Sequence, residues 1–131
     1  PRLYGDGRHI RDWIHVTDHA RAIWTILHHG RIGQTYLVSA ENQASNLDVV
    51  RLILDLMGHP MDDYDLVADR PGHDLRYALD YTRTREELGW HPQYTDLRAG
   101  LADTIDWYRA NEAWWRPDKA ATEASYARTG Q

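Results

Sequence analysis

The stretch RDWIHVTDHARAIWTILHHGRIGQTYLVS, residues 11–39, decides the fold class. Arg11 to Val16 is a short run rich in β-formers and reads as a strand. Thr17 or Asp18 then offers a short side-chain oxygen that can cap a helix by accepting from free first-turn N–H groups. Ala20, Ile23, Trp24 and Leu27 recur at i, i+3, i+4 and i+7 and predict one inward apolar stripe. Gly30 stops the helix, and Thr35 to Ser39 reads as a second, well-buried strand. Strand, helix and strand in one stretch indicate an α/β unit.

Working outward, Tyr4-Gly5-Asp6-Gly7 has the composition of a tight turn, with Gly available for positive φ. On the other side a polar loop, Glu41 to Ser45, leads into a second helix with Asn46 as its N-cap. Leu47, Val50, Leu54 and Met57 form its inward stripe, widened by Val49 and Ile53, and Gly58 and Pro60 end it. Tyr64 to Ala68 alternates like an exposed or edge strand. A short helix is expected from about Asp80 to Leu88, stopped by Gly89, and Pro92 opens a turn. The last regular helix starts near Asp96, with Leu97, Leu101, Ile105 and Tyr108 on one face. From Pro117 to Gln131 the pattern fades and a frayed tail is expected. Three short strands are fewer than an ordinary sheet holds, so the stretch reads as part of a sheet. A small free-standing α+β domain is the alternative.

At 131 residues the chain suits one domain. It begins at Pro1, which places the natural start upstream or marks it as removed. The absence of cysteine excludes disulfides, thiol catalysis and cysteine-ligated metals, and fits the cytoplasm. A net charge of -5 argues against generic nucleic-acid binding. No run approaches the roughly 20 apolar residues of a bilayer span, so no membrane partner is expected. Six Trp and eight Tyr stand against no Phe, a set of polar-tipped rings that suits partly wet clefts as well as cores.

No Gly-x-Gly-x-x-Gly loop leads from a strand into a helix, and the single lysine, Lys119, forms no Tyr-x-x-x-Lys pair. No catalytic and no cofactor-binding residue is therefore assigned. His28 and His29 point about 100° apart on a helix and do not chelate together, so no metal ligand is assigned. Anion binding has a better candidate in Asp69-Arg70-Pro71-Gly72-His73-Asp74, just after a strand. Pro71 fixes one φ and Gly72 frees the next. Arg70 supplies a planar fork that matches phosphate oxygens, and His73 can donate to a ribose hydroxyl. The alternative is a plain turn with Arg70 paired to Asp69 or Asp74. Arg11 either enters a cleft or pairs with Asp12 or Asp18. Trp114 and Trp115 read as packing residues.

Tyr4 to Gly7 followed by Arg11 to Val16 resembles the C-terminal half of the extended short-chain dehydrogenase/reductases that act on nucleotide sugars. Epimerases, decarboxylases and dehydratases share that part. Asp69 to Asp74, running on through Arg76-Tyr77-Ala78-Leu79-Asp80 to Glu87-Leu88-Gly89-Trp90, resembles the dTDP-glucose 4,6-dehydratase family of the rhamnose pathway. The resemblance runs from residue 1 to about 117, in order. Its implied fold is α/β: the C-terminal substrate-binding part of a Rossmann-like enzyme, with the N-terminal NAD-binding region upstream of Pro1. Residues 1–116 would then be the nucleotide-sugar lobe with late Rossmann elements, and 117–131 the tail.

The implied chemistry uses NAD, a Tyr-x-x-x-Lys pair and an Asp-Glu pair. Hydride leaves the sugar C4, water is eliminated across C5 and C6, and the hydride returns to C6. All those groups would lie upstream, so this chain alone is expected to be inactive, and the complete enzyme to be a homodimer. By the same resemblance, Arg11 and Arg70 grip the diphosphate of dTDP-glucose or dTDP, and Asn46 contacts the nucleotide end. The loop Asp69, Arg70, Pro71, Gly72, His73 closes over ribose and phosphate, and Leu3 and Tyr4 line the base pocket. Other readings are the substrate lobe of an epimerase or decarboxylase, and a non-catalytic binding domain. Ser39-Ala40 stands where many family members have Gly-Gly.

Overall fold

In the computed structural model, which describes residues 1–129, short strands alternate with longer helices. The order is β1 (Arg2–Tyr4), β2 (Ile10–Asp12), α1 (Val16–His29), β3 (Gln43–Ser45), α2 (Asn46–Met57) and β4 (Asp65–Val67). Then come α3 (Thr82–Leu88), α4 (Leu97–Ala110) and α5 (Glu112–Thr129). The chain divides into one compact unit over Pro1–Leu101 and a second from Ala102 onward.

In the first unit β1 pairs with β4 in parallel, Leu3 opposite Leu66, and β2 pairs antiparallel with β3, Arg11 opposite Ala44. A parallel pair needs a long crossover, which here runs through β2, α1, β3 and α2. Leu3 is buried because Gly7 passes directly over it: at φ 73°, a Cβ on Gly7 would lie 2.6 Å from Leu3 Cδ2. Beside β2, Ile10 N–H donates to Leu75 O at 2.8 Å and Tyr77 N–H donates to Ile10 O at 3.0 Å. That pairing draws the 74–77 segment alongside Arg11.

Two aspartates, Asp12 half-buried and Asp18 fully buried, fix the corner between β2 and α1. Asp12 accepts from the Ser39 hydroxyl and, at 3.3 Å, from Ala40 N–H. Ser39-Ala40 thus supplies a hydroxyl where Gly-Gly could not. Asp18 has no exposed surface; it accepts from Gln93 N–H and Tyr94 N–H at 2.8 Å each and pairs with Arg21 at 2.7 Å. It is therefore not the helix cap. His15 takes that position, its Nδ1 accepting from Thr17 N–H at 3.3 Å. The cap also moves toward the N-terminus at α2, by one residue, where Ser45 rather than Asn46 caps the helix by accepting from Asp48 N–H at 3.1 Å.

The core is Ala22, Tyr81 and Trp90, with Ile14 and Val38 packed against it. Tyr81 and Trp90 meet edge to face at 5.7 Å and 84°. Because Ala22 is the α1 residue turned to this cluster, the stripe expected to face inward faces out: Trp24 is 66% and Leu27 73% exposed. Ile23 and Val16 are exposed beside them. Thr35 to Ser39 also departs from the expected strand, pairing with no strand among the described residues. The Leu37 carbonyl is taken by the Thr84 hydroxyl at 2.6 Å instead, while Ser39 and Ala40 stay buried at Asp12. The expected strand at Arg11–Val16 is likewise shorter, its ladder ending at Asp12. Helices α2, α3 and α4 fall where the pattern puts them. Val49 and Leu54 are buried on α2, and Asp80 and Asp96 accept from backbone N–H groups ahead of α3 and α4.

In the second unit Trp107 meets Trp114 at 5.4 Å, and Trp115 donates through Nε1 to Tyr108 O at 2.9 Å. The segment expected to fray is helical to Thr129. Alanines and the i,i+4 pairs Glu112–Arg116 at 3.3 Å and Glu123–Lys119 at 3.5 Å favour the helix. Pro117 sits early enough to remove one hydrogen bond without ending it. Residues 130 and 131 of the expected tail lie outside the described residues. Among the described residues no helix is long and apolar enough to cross a membrane.

Asp18→Ala strands two buried N–H donors and should destabilise the chain by about 2–5 kcal/mol in urea unfolding. Asp18→Asn, which keeps one acceptor, should cost less.

Candidate functional site

The loop after β4 is a type II turn built by its own sequence. Pro71 presets the first central φ, Gly72 takes φ 70° at the second, and His73 N–H donates back to Arg70 O at 3.2 Å. Nothing lies within 4 Å of where a Gly72 Cβ would stand, so the turn tip is open. Asp69 holds the base of the turn. Its Oδ1 accepts from Arg70 N–H at 2.8 Å and lies 2.7 Å from His73 Nδ1. Gly5 makes room: at φ 59°, a Cβ there would stand 3.0 Å from the Asp69 carboxyl carbon.

The Arg70 guanidinium lies 3.1 Å from His73 Nε2. A guanidinium only donates, so Nε2 is the acceptor and Nδ1 carries the proton that points at Asp69. That hydrogen bond from His73 holds the Asp69 carboxyl below the usual carboxylate range, aided by the Arg70 N–H. Arg70 also lies over the Tyr4 ring, 5.1 Å from its centroid.

His9 completes the cluster, and the sequence reading missed it. Its ring is only 6% exposed and stacks on His73 at 3.7 Å and 20°. Nε2 lies 3.3 Å from Asp69 Oδ2, and Nδ1 is buried with no partner among the described residues. The available signal was period two: His9 shares a face with Arg11, so a strand that sends one into a cleft sends both. The ligand-type atoms of His9, Asp69 and His73 lie within 4.8 Å of one another. A cation would have to lie in both ring planes, yet the rings are stacked, and the Arg70 charge is adjacent. The arrangement is a hydrogen-bonded clamp.

Arg11 anchors the other end of the loop. It donates to Ile10 O at 2.7 Å and Asp74 O at 2.9 Å and lies over the Tyr77 ring at 4.5 Å. It does not pair with Asp12 or Asp18, which have the partners described above. Tyr77 donates to the Asp74 carboxylate, which pushes its hydroxyl pKa up, while the charges of Arg11 and Arg70 both oppose that rise. Both guanidiniums thus contact the 69–74 loop, Arg11 at the Asp74 carbonyl and Arg70 at His73. Of the remaining expected residues, Leu3 is buried at the centre of β1, and Asn46 is half-buried, its N–H donating to His9 O at 3.0 Å. Pro71 and Gly72 form the open tip. Tyr4, Arg11, Asp69, Arg70 and His73 thus share one neighbourhood, equipped to bind an anion with donors and a ring face.

The sequence profile of the GDP-mannose 4,6 dehydratase family matches residues 1–104. The chain belongs to this family. The curated dTDP-glucose 4,6-dehydratase of Mycolicibacterium smegmatis is 60% identical over 131 residues, 100% of this chain and 40% of that protein. The solved dTDP-glucose 4,6-dehydratase of Bacillus anthracis in complex with NAD is 45% identical with a TM-score of 0.81, over 88% of this chain and 36% of that one. DesIV of Streptomyces venezuelae, a dTDP-glucose 4,6-dehydratase with NAD and TYD bound, is 42% identical with a TM-score of 0.82 over the same shares. The chain thus spans about two fifths of the length of these dehydratase-family relatives. Its fold is that of the C-terminal part of a Rossmann-like extended short-chain dehydrogenase/reductase.

Asp69 gives this family member a titratable marker. Its folded-state pKa is depressed, so the clamp's contribution to stability is complete above the ordinary carboxylate range and is lost as pH falls through the depressed value. Carboxyl 13C NMR should show Asp69 titrating below that range, and His73→Ala should return it upward.

Proposed function

We propose that this chain is the nucleotide-sugar-binding part of a dTDP-glucose 4,6-dehydratase and that it grips the diphosphate of dTDP-glucose. The observation that carries the reading is the convergence of Arg11 and Arg70 on the loop after β4. Both rest on neutral acceptors, a carbonyl and an imidazole, which a phosphate dianion outcompetes. In this reading the Asp69–His73 turn closes over ribose and phosphate, Tyr4 faces the base with Leu3 supporting it from below, and Asn46 lies at the nucleotide end. The name shared by the 60%, 45% and 42% identical relatives supports the choice of dTDP-sugar.

The complete enzyme uses NAD, which two of those relatives hold. The residues of this chain do not fit that cofactor: there is no Gly-x-Gly-x-x-Gly cradle, and the one lysine lies in α5. No step through NAD is derived from them. The catalytic Tyr-x-x-x-Lys and Asp-Glu pairs come from outside these residues, so the 131-residue chain alone binds without turnover. A cytoplasmic homodimer is part of the same proposal; nucleic acid and membrane are not.

Calorimetric titration with dTDP and UDP tests the reading. Expected is dTDP binding tighter than UDP, weakened about ten- to a hundredfold by Arg70→Ala or Arg11→Ala, the effect of losing one charge-assisted contact. Tighter UDP binding would replace the dehydratase with an epimerase or decarboxylase. No binding of either nucleotide by folded protein would sink the phosphate grip.

A further inference from the structure

His9 has no place in the reading above, yet it is built into the loop. A residue that only filled space under His73 would be an apolar ring. An imidazole there leaves Nδ1 buried without a partner among the described residues, an unfavourable arrangement that something must offset. What the imidazole adds is a second hold on Asp69, whose Oδ2 lies 3.3 Å from His9 Nε2 while Oδ1 serves His73. With Oδ1 bonded to His73 and Oδ2 facing His9 Nε2 at 3.3 Å, the carboxylate is confined from both sides, and the 3.7 Å stack confines the plane of the His73 ring. His9 itself stands on fixed backbone: its carbonyl accepts from Asn46 N–H, and Ile10 is bonded on both sides to the 75–77 segment. A side chain held this way can orient another.

We infer that His9 is a positioning residue that, through Asp69 and the ring stack, holds His73 in the tautomer whose Nε2 accepts, so that the loop meets a nucleotide sugar hydroxyl with a hydrogen-bond acceptor. The inference rests on the nucleotide reading and changes one part of it, since His73 receives the hydroxyl proton rather than offering one. In the unliganded chain Arg70 occupies Nε2. When phosphate draws Arg70 away, the same lone pair faces the hydroxyl, and the two ligand groups are coupled through one ring.

The test uses the full chain with His9→Phe, which keeps the ring and the stack but removes Nε2, and His9→Gln, which returns an N–H donor toward Asp69. Two readouts are taken: 15N NMR of the His73 imidazole without ligand, and calorimetry with dTDP and 3′-deoxythymidine diphosphate. Wild type should show His73 as a single Nδ1–H tautomer. His9→Phe should mix the tautomers and weaken dTDP about five- to tenfold, the effect of one hydrogen bond. That penalty should vanish with the 3′-deoxy ligand, and His9→Gln should recover much of the dTDP affinity. An unchanged tautomer in folded His9→Phe overturns the inference. A changed tautomer with unchanged dTDP affinity, or an equal penalty for both ligands, overturns the hydroxyl assignment. Wild type that binds no dTDP defeats the nucleotide reading, while the tautomer measurement still decides whether His9 orients His73.

Discussion

A carboxylate with no exposed surface needs partners for its charge, and Asp18 finds them in two backbone N–H groups from a segment 75 and 76 residues away, together with Arg21. The first turn of α1 is thereby tied to Gln93 and Tyr94, and the helix N-terminus adds its own favourable field to the negative charge. Six residues earlier, Asp12 ties the end of β2 to Ser39 and Ala40. The short piece between them, Trp13 to His15, is fixed at both ends. Arg11 stands directly before Asp12, so the direction in which it leaves β2 is inherited from these two carboxylates.

The site uses the opposite arrangement. Its arginines are not neutralised by carboxylates: Arg11 rests on two carbonyls and Arg70 on an imidazole and an aromatic face. Asp69, the carboxylate nearest at hand, gives its oxygens to a backbone N–H and two imidazoles. Positive charge is thus kept locally available in a chain of net charge -5. Elsewhere the protein pairs such groups, as Arg31 does with Glu87 at 2.5 Å. An anion arriving at the loop meets donors whose present partners are neutral and easily exchanged.

What the sequence made readable was local. Pro71-Gly72 specified the turn, Gly58 and Gly89 ended α2 and α3 in left-handed conformations, and the alternation at Tyr64–Ala68 marked an exposed strand. What it hid was tertiary. Asp18 looks like a cap until its partners past residue 90 are known. The α1 stripe looks inward until Ala22, one residue round the helix, is seen against Tyr81 and Trp90. Thr35–Ser39 has the composition of a strand, but its Leu37 carbonyl is answered by a threonine hydroxyl instead of a neighbouring strand. His9 was silent because its meaning depends on a ring in a loop beyond the crossover. At α5, alanine content and i,i+4 charge pairs outweighed the proline that seemed to end the pattern.

The parallel pairing of β1 with β4 has a kinetic side. Leu3 meets Leu66, and Arg11 reaches an Asp74 carbonyl 63 residues along the chain, so neither contact can form until a long loop has closed. Helices α1 and α2 need no such closure and can form as soon as their own residues are available. During synthesis β1 emerges before β4, and their pairing waits until the crossover between them is made. The Arg11–Asp74 contact is therefore a late product of folding, made only once the two ends of that loop have found each other.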